Sequence, residues 1–204
     1  MSLPTSLQTA RLMLRRPLAA DVDAYLAVFG SAAANATNPR GFCADRAAAA
    51  QALQHHAEHW DGHGFDVWAV SLRAEPSRVI GFGGIGLRQF EEVERLNLGY
   101  GLNAAVWGQG YAKELVAASV EASGALAALG DLWARVHRDN GASRRVLESA
   151  GLALDPSRGD ATELWYRLAV RSARANRAAA SRSSPRKCAA SRSAAPAPPR
   201  RSRA

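Results

Sequence analysis

Cysteine is nearly missing from this chain. Its 204 residues hold two, Cys43 and Cys188. They lie too far apart for a metal or redox spacing, so a reduced, cytoplasmic protein is the expectation. Long apolar runs are missing too. No stretch approaches the roughly 20 uninterrupted apolar residues of a membrane helix. The alanine-rich segments are broken by Arg46, Glu121, Arg144 and Glu148, and no membrane partner is expected. The opening MSLPTSLQTARL has no charged start leading into an apolar run, so no secretory signal is expected. Acids are missing from residues 171–204, which hold nine arginines and Lys187. That segment carries +10 of a net charge of +8, which leaves residues 1–170 at −2. A mildly acidic body argues against a nucleic-acid-binding core.

What is present divides the chain in two. Residues 171–204 are Arg, Ala, Ser and Pro without a hydrophobic period. Such a segment cannot bury enough apolar surface to offset chain entropy, so a disordered basic tail is expected. Charge alone would let it meet RNA or an acidic partner. Residues 1–170 read as one domain. The chain is 48% hydrophobic, enough for a core.

Within that domain, residues 11–15 alternate polar and apolar, as a short strand does. Asp21 is placed to cap a helix with Tyr25, Leu26 and Phe29 on its apolar face, stopped near Gly30. Residues 35–41, with Asn38-Pro39, read as loop. Asp45 caps a second helix to about Trp60, ended by Gly62 and Gly64. Strand-like runs follow at 65–72, 79–87 and 95–102, joined by short turns, which predicts an antiparallel meander. A long helix is expected over 108–128, a strand over 132–137, a short helix over 143–150 and a last strand over 163–170. The order predicts an α+β (mixed α/β) domain around one sheet of about six or seven strands.

Two segments carry chemistry. Trp107-Gly108-Gln109-Gly110-Tyr111-Ala112 stands between a strand and the long helix. Glycines there let a ligand approach the backbone, and the first-turn N–H groups suit a phosphate or pyrophosphate. The alternative is a tight turn without a ligand. Asn140-Gly141-Ala142-Ser143 opens the short helix. Asn140 suits an N-cap, and Asn140 and Ser143 also suit hydrogen bonding to an amide-rich arm.

These pieces resemble a GNAT-type N-acetyltransferase, of the branch similar to the ribosomal-protein alanine N-acetyltransferases. The resemblance runs in order over residues 7–170. It begins at Thr9-Ala10-Arg11-Leu12-Met13-Leu14-Arg15 and continues through Trp68-Ala69-Val70, Ile80-Gly81-Phe82-Gly83-Gly84 and Leu98-Gly99-Tyr100-Gly101-Leu102. The two chemical segments and Val146-Leu147-Glu148 complete it. It implies a mostly antiparallel sheet flanked by helices, and acetyl transfer from acetyl-CoA to a primary amine. It implies a pyrophosphate held on Gly108, Gln109, Gly110, Tyr111, Ala112 and Lys113. The strand bearing Tyr100 and Leu102 would splay from its neighbour and pair with the pantetheine. Asn140 and Ser143 would meet the cofactor arm. By the same resemblance the acceptor is a protein N-terminal α-amino group, with a small-molecule amine as the alternative. A catalytically weak acyl-CoA-binding protein is the competing class. A monomer or homodimer is expected.

Catalytic groups are less defined. The strand position where this branch often has an acid holds Asn97, and many family members have a tyrosine acid where this chain has Leu147. Ser143 is then the nearest hydroxyl to protonate the leaving thiolate, and Glu94 the remaining candidate base, acting through water. The alternative for Glu94 is a solvated turn charge. His55, His59 and His63 recur every four residues, but the expected helix ends before His63, and no metal is expected. Trp60, Trp68, Trp133 and Trp165 read as core. Trp107, just before the loop, is placed to pack under the cofactor.

Overall fold

Leu12 and Leu14 are fully buried while Met13 and Arg15 are half-buried, so the alternation of the first apolar run is that of a strand with one face in the core. The computed structural model describes residues 1–32, 36 and 43–170. The expected 35–41 loop lies almost wholly outside the described residues, and the basic tail lies outside them entirely.

The strands are β1 (Ser6–Gln8), β2 (Leu12–Arg15), β3 (Val67–Leu72), β4 (Glu75–Phe90), β5 (Val93–Leu102), β6 (Leu132–His137), β7 (Ala153–Gly159) and β8 (Glu163–Leu168). They form one sheet in the order β1-β2-β3-β4-β5-β6-β8-β7. Every pairing is antiparallel except β5 with β6. Four α-helices are described: α1 (Val22–Phe29), α2 (Arg46–His63), α3 (Tyr111–Ser123) and α4 (Gly141–Ser149).

Two strands exceed the expected set. β1 is three residues, too short to show a period. β7 is an edge strand reading ALDPSRG, mostly exposed and without apolar alternation. Gly62 does not stop α2. The helix runs on to His63 and closes at Gly64, whose φ of 77° is left-handed. Its start is the expected one: the Asp45 side chain accepts from the Ala48 N–H at 2.8 Å. The long helix is shorter than expected. It begins at Tyr111 and tightens at Gly124 into a 3₁₀ run, Gly124–Leu129.

The helices cover both sheet faces. Val22 and Val28 of α1, with Ala49 and Leu53 of α2, pack on Ala69 and Phe82. Leu115 and Val116 of α3, with Leu147 of α4, join the core of Val70, Ile85 and Leu98 on the opposite face. Trp60, Trp68, Trp133 and Trp165 are buried, whereas Trp107 is 50% exposed.

Candidate active site

The parallel β5–β6 pair is almost unpaired. Its ladder has two rungs, Leu96 with Leu132 and Asn97 with Trp133. Beyond them β5 continues to Leu102 and β6 to His137, and the strands diverge. Up to Leu102, β5 stays registered with β4 on its other side, down to Gly81. Its edge toward β6 is left without a strand partner, and the backbone groups there need other ones. The gap is a cavity of about 760 Å³ between residues 98–102, residues 134–136 and the starts of α3 and α4.

At one end of this cavity lies the glycine loop. Gly108 has φ 75° and Gly110 has φ 80°, a conformation that L side chains rarely adopt. The turn aims the start of α3 at the cavity. The Glu114 N–H reaches the Gly110 carbonyl at 3.2 Å. The N–H groups of Tyr111, Ala112 and Lys113 therefore come before the helical ladder, at its positive end. Their residues line the cavity, and Lys113, Arg135 and Arg145 put three cations on its walls.

Arg11, 98 residues before Gln109, braces this loop. Its Nη1 donates to the Gln109 carbonyl at 2.9 Å, and its Nε and backbone N–H each reach the Glu114 carboxylate at 2.7 Å. Its guanidinium lies 4.6 Å from the Tyr111 ring centroid. Thr9 also donates to Glu114. Burial alone would raise the Glu114 carboxyl; the hydrogen bonds from Thr9 and Arg11 outweigh it and hold the pKa below the usual carboxylate value. Arg11→Ala is expected to weaken anion binding at the loop about fivefold, near 1 kcal/mol, because the pair is half exposed. Glu114→Gln should cost about as much, and the double variant little more, in calorimetric titrations.

The opposite wall carries a polar cluster. Asn140 caps α4, its side-chain oxygen accepting from the Ser143 N–H at 3.0 Å. The Tyr100 hydroxyl reaches across from β5 and donates to Ser143 Oγ at 2.9 Å. Burial pushes the Tyr100 pKa up despite that hydrogen bond, so its proton is retained at neutral pH. Leu147 is buried in the wall. The Trp107 indole N–H donates to the Leu102 carbonyl at 2.7 Å, fixing the exposed ring at the cavity's rim.

The expected residues thus divide. Tyr100, Leu102, Gly108, Gly110 and the first turn Tyr111, Ala112 and Lys113 line this cavity, as do Asn140 and Ser143. Gln109 does not line it; its side-chain amide turns back to the Ala105 carbonyl at 3.4 Å. Glu94 stands exposed at the β4–β5 hairpin, paired with Gln89, and lines neither this cavity nor the one described next. Among the described residues no cluster of His, Cys, Asp and Glu is placed to hold a metal.

A second cavity, of about 520 Å³, opens on the face of α1 and α2. Phe29, Leu98, Gly99, Tyr100 and Arg135 border both cavities, so the two meet where β5 leaves β6. Asn97, 4% exposed, lines the second one. So does His56, which the four-residue histidine spacing passes over.

A splayed parallel pair beside a glycine loop at a helix start narrows the comparison to one kind of protein. The family model for the acetyltransferase (GNAT) domain matches residues 11–153, well over half the chain. The chain belongs to the GNAT acetyltransferases. No curated protein matches it. Among solved structures, an acetyltransferase from Agrobacterium tumefaciens is 29% identical, covering 82% of this chain and 95% of that one, with a TM-score of 0.68. A ribosomal-protein-S5-alanine acetyltransferase from Vibrio fischeri is 16% identical, covering 81% and 96%, with a TM-score of 0.64. A ribosomal L7/L12 alpha-N-protein acetyltransferase in complex with coenzyme A is 15% identical, covering 83% and 98%, with a TM-score of 0.63. The last two likenesses are likenesses of fold. No described helix of this acetyltransferase is long and apolar enough to cross a membrane.

Proposed function

We propose that this acetyltransferase takes its acetyl group from acetyl-CoA in the larger cavity and gives it to a primary amine entering by the smaller one. The acceptor is a protein N-terminal α-amino group. The observation that carries this reading is the meeting of two cavities from opposite sheet faces at Leu98, Gly99 and Tyr100. A transfer needs two substrates at one point, and a binding protein does not.

The larger cavity fits the donor. Gly108, Gly110 and the first-turn N–H groups of α3 suit a pyrophosphate. Lys113 and Arg145 add positive charge beside it. The open edge of β5 offers backbone partners for the amides of a pantetheine arm. When bound, the donor supplies a thioester carbon open to attack by a neutral amine. Tyr100 and Ser143 handle the leaving group's proton. Because Tyr100 donates to Ser143 Oγ, the Ser143 proton is free to point into the cavity. Ser143 gives that proton to the departing sulfur and takes one from Tyr100, which leaves the relay to be refilled from solvent.

Release of free thiol from acetyl-CoA in the presence of an amine panel tests the reading. The panel should include peptides with free N-termini, small aliphatic amines and polyamines. Peptides should be preferred. Thiol release that no amine stimulates would overturn it.

The tail takes no part in this chemistry. A chain ended after Val170 is expected to keep its circular dichroism spectrum and its rate with a small amine, within about a factor of two. Loss of folding would show that the tail belongs to the domain.

A further inference from the structure

Helix α2 turns two histidines, His56 and His59, inward toward Asp66. His56 is 6% exposed, and its Nδ1 lies 2.8 Å from Oδ2 of Asp66, which is fully buried just before β3. The other Asp66 oxygen accepts from Arg88 Nη2 on β4 at 3.0 Å. Burial would raise the Asp66 carboxyl. The hydrogen bond from His56 and the charge of Arg88 outweigh it and hold the pKa below the usual carboxylate value. Asp66 is therefore an anion and accepts only. Nδ1 carries the imidazole proton, and the lone pair of the neutral ring is on Nε2.

That lone pair faces the smaller cavity. The Tyr25 hydroxyl of α1 stands 3.5 Å from Nε2, and Tyr25 and His56 both border the cavity. A structural hydrogen bond to Asp66 accounts for Nδ1, but not for an Nε2 set beside the Tyr25 hydroxyl on the smaller cavity. Arg88 already compensates the Asp66 charge, so a second cationic partner is not required there. The arrangement is that of a base held by a carboxylate, with its second nitrogen toward the Tyr25 hydroxyl and the smaller cavity. The neighbouring histidines are placed otherwise. His59 Nδ1 is engaged by the Phe65 carbonyl at 2.8 Å, and burial lowers its pKa. His55 is exposed.

We propose that His56, oriented by Asp66, takes the proton from the acceptor's ammonium group in the smaller cavity. This rests on the reading that the acceptor enters there. The N–H bond of the ammonium breaks, its electron pair stays on nitrogen, and the proton joins Nε2, directly or by way of the Tyr25 hydroxyl. The neutral amine then attacks the thioester carbon. The N–C bond forms and the C–S bond breaks. The second amine proton replaces, through solvent, the one that Ser143 gives to sulfur. The imidazolium returns its proton to water, so one proton is released per turnover. The charged and titratable groups around the ring and its cavity are Asp66, Arg88, Tyr25, Cys43, Tyr100, Arg135 and, from α2 itself, His55 and His59.

The test compares wild type, His56→Gln and His56→Ala over pH with an aliphatic amine acceptor. His56→Gln is expected to lose about 10²–10⁴ in kcat, the usual range for a general base. The KM for acetyl-CoA should be unchanged, and the acidic limb of the kcat/KM profile should disappear. Imidazole added to His56→Ala should restore part of the rate. An aromatic amine already neutral at pH 7 should lose far less. Asp66→Asn should move the acidic limb. A folded His56→Gln with wild-type kcat and an unchanged acidic limb overturns the proposal. Should both His56 variants fail to fold, nuclear magnetic resonance on the wild type decides: the His56 ring must titrate at the pH of the acidic limb, and a ring that does not overturns it. A wild type that no amine stimulates overturns the acceptor reading itself, a separate result.

Discussion

Gly110→Val should weaken acetyl-CoA binding by about 100-fold, near 2.7 kcal/mol, while most of the domain stays folded. The cause is not crowding within the protein. A Cβ at Gly110 would meet only Arg11 Nη2, at 3.5 Å, and one at Gly108 would meet nothing within 4 Å. The cost comes from two other sources. Gly110 has φ 80°, and a β-branched residue forced into that conformation costs more than the ~1–2 kcal/mol typical of L residues. The loop then relaxes, and the first-turn N–H groups lose their aim. The valine also stands where a phosphate must touch backbone, and each charge-assisted hydrogen bond lost is worth ~1.5–3 kcal/mol. Gly110→Ala should fall between wild type and valine. Calorimetric titration of variants with native circular dichroism measures both. Undiminished affinity in Gly110→Val would remove the loop from the donor site.

That loop could be read from sequence because it works through backbone. Its glycines lie two positions apart in the chain, and the N–H groups it offers an anion are its own. The Asn140 cap was legible for the same reason. The brace on the loop was not. Arg11 and Glu114 lie 103 residues apart, and only the packing of β2 beside α3 brings them together. Glu94 is near Asn97 in sequence and lies on β5 itself, but at its hairpin end. The splay begins only at Leu98, and four residues of strand at ~3.3 Å each put Glu94 about 13 Å back along the sheet. The histidine period marks residues 55, 59 and 63, with His55 at the exposed rim of the smaller cavity. His56, one residue further around α2, faces the interior, and no local pattern marks Asp66 or Tyr25 as its partners. β1 and β7 escaped because short, polar edge strands carry no alternation to detect.

The choice of acceptor should follow from proton transfer. At pH 7 an α-amino group with a pKa of about 8 costs roughly 1 kcal/mol to hold neutral, and a lysine ammonium near 10.4 costs roughly 4–5. In the smaller cavity Asn97, buried and unable to take a proton, stands where a carboxylate would serve, and the base proposed there is the imidazole of His56. A site of this kind is matched to the weaker base. A peptide with a free N-terminus should therefore outpace an N-blocked peptide presenting lysine by about two powers of ten in kcat/KM at pH 7, with positioning equal. The gap should close as pH rises, because the neutral fraction of lysine grows about tenfold per unit while that of the α-amino group levels off above 8. Asn97→Glu should narrow the gap and move the profile to lower pH. Glu94→Gln, altered at the exposed hairpin, should change neither. A lysine peptide that wins at pH 7 would sink the idea. So would an Asn97→Glu profile that does not move beside a Glu94→Gln variant without turnover, since the base would then be Glu94 and the acceptor a high-pKa amine.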